Sequence, residues 1–166
     1  AVPKVLEKVN AKFIIVGNGY IKEQLSNLTK SIGLSHKVLF TGFVDDETIR
    51  KLQKCADVSV VPSLFEPFGI VALEAMAAKS PLVVSDTGGL SEIVEHDVTG
   101  VKVYADNPDS LMWGIARVLL DENYAKQIRM NAYKKVQETY EWNKIAQQTK
   151  AIYEAVLNEY SKSFWA

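Results

Sequence analysis

The chain has 166 residues, enough for one domain with a sizeable core and no need of disulfide or metal staples. Apolar residues make up 48% and charged ones 23%, and 19 basic against 20 acidic residues leave a net charge of −1. Without a basic run to neutralise a phosphate backbone, nucleic-acid partners are excluded, while a single local phosphate site is not. No apolar run approaches the ~20 residues that a bilayer-spanning helix needs, and residues 1–10 lack the apolar core and cleavage pattern of a secretion signal.

In chain order, a helical pattern over residues 1–9 leads into a β-branched run, Phe13-Ile14-Ile15-Val16. Similar runs follow at Val38-Leu39-Phe40, Val58-Ser59-Val60-Val61 and Leu82-Val83-Val84, with a weaker one at Val101-Lys102-Val103. They are mostly continuous rather than alternating, as expected of parallel strands covered on both faces. Helix-length segments at 20–32, 46–55, 69–78 and 90–95 lie between them, and parallel strands require such crossovers. The alternation predicts an α/β fold with a doubly wound parallel sheet.

After Pro108 the pattern turns purely helical. Leu111, Ile115, Val118 and Leu119 mark one amphipathic helix, and Ile128, Ala132 and Val136 a second. Ile145, Thr149, Ile152, Tyr153, Val156 and Leu157 mark a third. No repeat or linker interrupts the sequence, so residues 1–166 read as one domain. A helix without a preceding strand is an odd opening for a doubly wound unit, so a first strand is expected upstream of Ala1.

The single cysteine, Cys55, cannot form an internal disulfide, which fits a reducing, cytoplasmic setting. It shares a helical pattern with Leu52 and Ala56 and is expected to pack in the core. His36 and His96 are far apart and have no cysteine or carboxylate cluster at ligand spacing, so no metal site is expected. Among the aromatic residues near the end, Trp142 and Tyr153 are expected to pack, whereas Phe164 and Trp165 are expected to be exposed.

The chemistry concentrates in Pro62-Ser63-Leu64-Phe65-Glu66-Pro67-Phe68-Gly69-Ile70-Val71-Ala72-Leu73-Glu74. This segment leaves a strand, crosses a proline-bounded loop and starts a helix near Gly69. Ligands of open α/β sheets bind outside the carboxyl ends of the strands, where this loop must lie. A helix start offers unpaired N–H groups and the positive end of the dipole, so a phosphate is expected at Ile70 and Val71. Gly69 leaves out a Cβ where a ligand would approach the backbone.

The helix is apolar almost all round and is expected to be buried, with Glu74 inside it roughly 7 Å along the axis from Gly69. A buried carboxylate needs partners, and adjacent ribose hydroxyls could supply them. Glu66, at the loop apex, could accept from a second sugar. Singly, each glutamate could equally be structural. Together, with phosphates between them, they match the order of groups in a nucleoside diphosphate sugar.

Glu66 and Glu74, with seven residues between them, resemble the E-x7-E signature of retaining glycosyltransferases of the GT-B fold, nearest to family 4 with its sucrose-phosphate synthases, mannosyltransferases and glycogen-synthase relatives. Val16-Gly17-Asn18-Gly19, Phe40-Thr41-Gly42-Phe43-Val44, Ala56-Asp57-Val58 and Thr87-Gly88-Gly89-Leu90-Ser91-Glu92-Ile93-Val94 with Thr99-Gly100 extend the resemblance over nearly the whole chain. It implies the Rossmann-like, C-terminal half of a GT-B enzyme, ending in a helical segment.

By the same resemblance Glu66 would bind donor-sugar hydroxyls and is the catalytic candidate. Phe68, Gly69, Ile70 and Val71 would line sugar and diphosphate, and Glu74 would hold the ribose. Gly17 and Asn18 would border the nucleotide, with Phe43 and Val44 at the base. No cofactor is implied beyond the nucleotide-sugar co-substrate. The family's G-R-L…K-G segment, whose Arg and Lys bind the diphosphate, has no counterpart and would fall before Ala1. The acceptor-binding N-terminal domain of the full-length protein, the other expected partner, is also absent. A chain lacking both would bind donor weakly and transfer little.

Likeness at residues 80–111 to glucan synthases leans toward UDP- or ADP-glucose. The alternatives are an epimerase of the same fold, a non-catalytic nucleotide-sugar-binding module, and a flavodoxin-like regulatory domain. The response-regulator form of the last needs clustered acids at the first strand's end, and Val16-Gly17-Asn18-Gly19 offers none.

Overall fold

A computed structural model describes residues 1–163. In chain order the elements are α1 (Val2–Leu6), β1 (Phe13–Val16), α2 (Lys22–Ser31), β2 (Val38–Gly42), α3 (Asp46–Cys55), β3 (Ser59–Val61), α4 (Ile70–Ala77), β4 (Leu82–Ser85), α5 (Gly88–Ile93), β5 (Val101–Val103), α6 (Pro108–Leu120), α7 (Glu122–Thr139) and α8 (Trp142–Lys162). The fold is α/β with parallel strand pairs and a helical C-terminal segment, as the sequence predicts. Local signals set several boundaries. Asp45 caps α3 by accepting from the Thr48 N–H at 2.7 Å, and Asn107 caps α6 with Pro108 just inside it.

The strands form two sheets rather than one: β1 with β2, and β3-β4-β5. Phe13 pairs with Val38, Ser59 with Leu82, and Val83 with Val101, all in parallel register. No strand pairing joins the two sheets, so β1 and β3 each pair along one edge only.

The two sheets differ in how much they bury. Every residue of β4 is buried, and its alternation serves two apolar clusters. Leu82 and Val84 join Ala72, Ala75 and Met76 of α4, Leu90 and Ile93 of α5, and Ala132 of α7. Val83 joins Val101, Val103, Val118 and Ile128. By contrast, β1 exposes Ile14, Ile15 and Val16, and α2 buries nothing. Continuous apolar runs therefore mark two-sided cover for β4 and not for β1.

Cys55 is exposed, against expectation. Helix α3 turns Gln53 inward instead, and its Oε1 has no partner among the described residues. Trp142 and Tyr153 are exposed as well, because α8 buries none of its described side chains. Its apolar stripe has the helical period but no cover among the described residues. Phe164 and Trp165 lie outside the described residues.

The turn before β5 is pinned from α6 and α7. Asp97, in left-handed backbone at φ 64°, accepts from the Tyr124 hydroxyl at 2.6 Å and pairs with Arg117 at 2.7 Å. Burial alone would raise its pKa, but the Tyr124 and Arg117 hydrogen bonds and the nearby positive charge hold it below the usual carboxylate range. The Tyr124 phenol is pushed up, by burial first and then by its bond to Asp97.

Candidate functional site

Both groups of candidate residues follow strand carboxyl ends. At the first sheet, the Gly17 N–H donates to the Gly42 carbonyl at 2.9 Å, and the Asn18 side-chain oxygen accepts from Lys22 Nζ at 3.0 Å. Phe43 follows directly and is largely exposed, with Val44 half-buried. Gly17, Asn18, Phe43 and Val44 thus share the ends of β1 and β2.

At the second sheet, residues 62–69 carry the chain from β3 to α4. Gly69 is the N-cap of α4, in left-handed backbone at φ 104°, where a side chain would be strained. A Cβ there would also stand 2.8 Å from Leu90 Cδ2. The Ala72 and Leu73 N–H groups donate back to the Gly69 carbonyl. Those of Ile70 and Val71 have no acceptor among the described residues, as the first turn of a helix dictates. No lysine or arginine occurs from Pro62 to Ala78, so the positive potential of this loop comes from the backbone alone.

Helix α4 is buried on one side only. Ala72, Ala75 and Met76 face the core, while Ile70, Val71 and Glu74 lie on the open side, as a rotation of about 100° per residue requires. Glu74 is therefore exposed rather than buried, and forms no hydrogen bond or ion pair with any described residue. The burial argument for its having a ligand falls away; its unoccupied acceptor oxygens remain. Glu66 is half-buried, and among the described residues its carboxylate accepts only from the Ser63 hydroxyl, at 3.3 Å. Phe68 is half-exposed beside it. No hydrogen bond or ion pair among the described residues joins this group to the Gly17–Val44 group.

Sequence reasoning gave no role to the turn that seats the loop. The Thr87 hydroxyl donates to the Leu64 carbonyl at 3.3 Å, and the Gly89 N–H donates to the Glu66 carbonyl at 2.8 Å. The available signal was the glycine pair immediately after a strand. Among the described residues no group of three or more His, Cys, Asp or Glu side chains could hold a metal ion. None of their helices is long and apolar enough to cross a membrane.

Parallel strands with loops at their carboxyl ends, and a helix start with free N–H groups, define an α/β domain able to bind an anionic ligand. The chain belongs to the glycosyl transferases group 1, whose family model matches residues 1–135. An uncharacterised glycosyltransferase of Methanocaldococcus jannaschii is 51% identical over 157 residues, covering 95% of this chain and 40% of the relative. Sucrose-phosphate synthase of Thermosynechococcus elongatus superposes with a TM-score of 0.85 at 30% identity, over 95% of this chain and 41% of that one. HepE of Anabaena, solved with UDP-glucose, gives 0.81 at 26% identity, over 93% and 44%. The chain thus spans about two fifths of the relatives it matches.

Proposed function

We propose that this chain is the donor-binding part of a retaining glycosyltransferase that uses a nucleoside diphosphate sugar, with UDP- or ADP-glucose favoured. The observation that carries the reading is the head of α4. Two N–H groups without acceptors among the described residues stand there, with one half-buried glutamate in the preceding loop and one left open on the helix. Membership of the family supports the same reading, as does a related fold that binds UDP-glucose.

In this proposal the diphosphate lies against the Ile70 and Val71 N–H groups, Glu66 accepts from sugar hydroxyls, and Glu74 accepts from the ribose. Gly17, Asn18, Phe43 and Val44 border the nucleotide. The bond from the anomeric carbon to the diphosphate breaks and its electrons leave with the diphosphate. The α4 N-terminus stabilises that developing charge. An acceptor hydroxyl forms the new carbon–oxygen bond on the same face and passes its proton to the departing diphosphate oxygen. The acceptor is a separate molecule.

Thermal unfolding with UDP, ADP, GDP and their glucose conjugates tests the proposal. One nucleotide family should stabilise the chain, by about 2.7 kcal/mol at a hundredfold excess over Kd. Glu66→Gln should weaken the sugar conjugate about ten- to a hundredfold and spare the free nucleotide, while Glu74→Gln should weaken both. Stabilisation by none of the six ligands would overturn the reading. Binding without transfer by the full-length protein would favour a non-catalytic module.

A further inference from the structure

We infer that Thr87, Gly88 and Gly89 are positioning residues for the sugar end of this site, an inference that rests on the donor-site reading. The loop over residues 64–69 has no secondary structure of its own, yet it lies backbone to backbone on the first turn of α5. The contacts advance in step along both segments. Thr87 Oγ1 donates to the Leu64 carbonyl. A Cβ on Gly88 would stand 2.2 Å from the Glu66 carbonyl oxygen, and one on Gly89 would stand 2.2 Å from the Phe68 carbonyl oxygen. The Gly89 N–H meets the Glu66 carbonyl at 2.8 Å.

No side chain fits between these backbones, and Gly88 is in addition left-handed at φ 48°. The glycine pair therefore sets the distance of the loop from α5, and its hydrogen bonds set the register. The residue gripped at the centre is Glu66, whose carboxylate has a single weak partner in Ser63. Its place is fixed through its backbone, which hangs on a turn some twenty residues later in the chain. The head of α4 has further anchors, because Ala72, Ala75 and Met76 also pack against Leu82 and Val84 of β4 and Ala132 of α7. A disturbed turn should thus displace the sugar-binding glutamate while sparing the phosphate-binding N–H groups.

The test uses the full-length protein that carries this chain and measures dissociation constants for UDP and UDP-glucose, with the ADP and GDP pairs alongside. The readout is the ratio between nucleotide and sugar conjugate, which a uniform loss of stability does not move. Gly89→Ala should reduce the preference for the conjugate at least about tenfold, and Thr87→Val about three- to tenfold, with the free nucleotide within about twofold. Thr87→Ser, which keeps the hydroxyl, should restore the wild-type ratio, and Glu66→Ala marks the largest loss available. Should Gly89→Ala not fold, the Thr87 pair carries the test, because Thr87 is only partly buried and its hydroxyl makes one bond.

An unchanged ratio in Thr87→Val and Gly89→Ala, with Glu66→Ala impaired, would overturn the positioning role and leave the donor site standing. An equal loss of nucleotide and conjugate would also overturn it, as a purely structural effect. Failure of the wild-type protein to bind any pair would instead overturn the donor-site reading, and this inference with it.

Discussion

Asp97 combines three demands that single substitutions can separate. Its backbone is left-handed, its carboxylate accepts from Tyr124 and Arg117, and it sits in the turn before β5. Asparagine tolerates the same backbone region and keeps an acceptor oxygen, so Asp97→Asn removes mainly the charge. Because the folded pKa is depressed, the charged form stabilises the fold above the unfolded value of about 3.9, and this stabilisation is lost as the pH falls through the folded value. The side chain is 41% exposed, so the expected cost at pH 7 is about 1 kcal/mol. Urea unfolding should show the gap from wild type closing below about pH 4; a gap that stays constant from pH 7 to pH 3 would refute the assignment. At this scale the sequence exposes what its own spacing encodes. Glu66, Gly69 and Glu74 lie within one short stretch, so their arrangement about a helix start could be read directly. The grip of Gly89 on Glu66 could not, because it is a close approach between residues distant in the chain.

Single helices show how far periodicity carries. In α4 the inward residues are Ala72, Ala75 and Met76, two small side chains and one of the largest that the core buries. Its outward residues, Ile70 and Val71, are just as apolar, so hydrophobicity alone suggested burial all round. In α3 the error was one of phase: Gln53 is turned in and Cys55 out. The native protein should accordingly react with a small aromatic disulfide reagent at Cys55 without unfolding. Cys55→Ser should alter stability by no more than about 0.5 kcal/mol. A thiol that reacts only in denaturant would contradict the exposed placement. In α8 the period is regular, and no described residue buries the stripe. A repeating pattern tells which side chains share a face, but cover depends on what lies opposite.

The core of the whole molecule is unevenly distributed. From Phe13 to Val44 no apolar side chain is buried, whereas β4 and the helices around it are buried densely. The alternation of strand and helix made both halves equally visible in the sequence, since it reports elements and not the area they bury. Native-state hydrogen exchange should reveal the difference. Amides of β1 and β2 should exchange through local openings well below the global unfolding free energy, and those of β4 only at the global value. Equal protection in both sheets would contradict this division.

The interruption between β1 and β3 also bears on thermodynamic coupling. Strand pairing does not transmit stability from one sheet to the other, which leaves that to helix packing such as α3 on α4. A donor that touches Gly17 and Phe43 at one end and Glu66 at the other would join them through itself. The ligand would then add coupling that strand pairing does not supply, sharpening the melting transition and stabilising the sparsely packed half most. Saturation would be legible in the shape of the transition as well as in its midpoint.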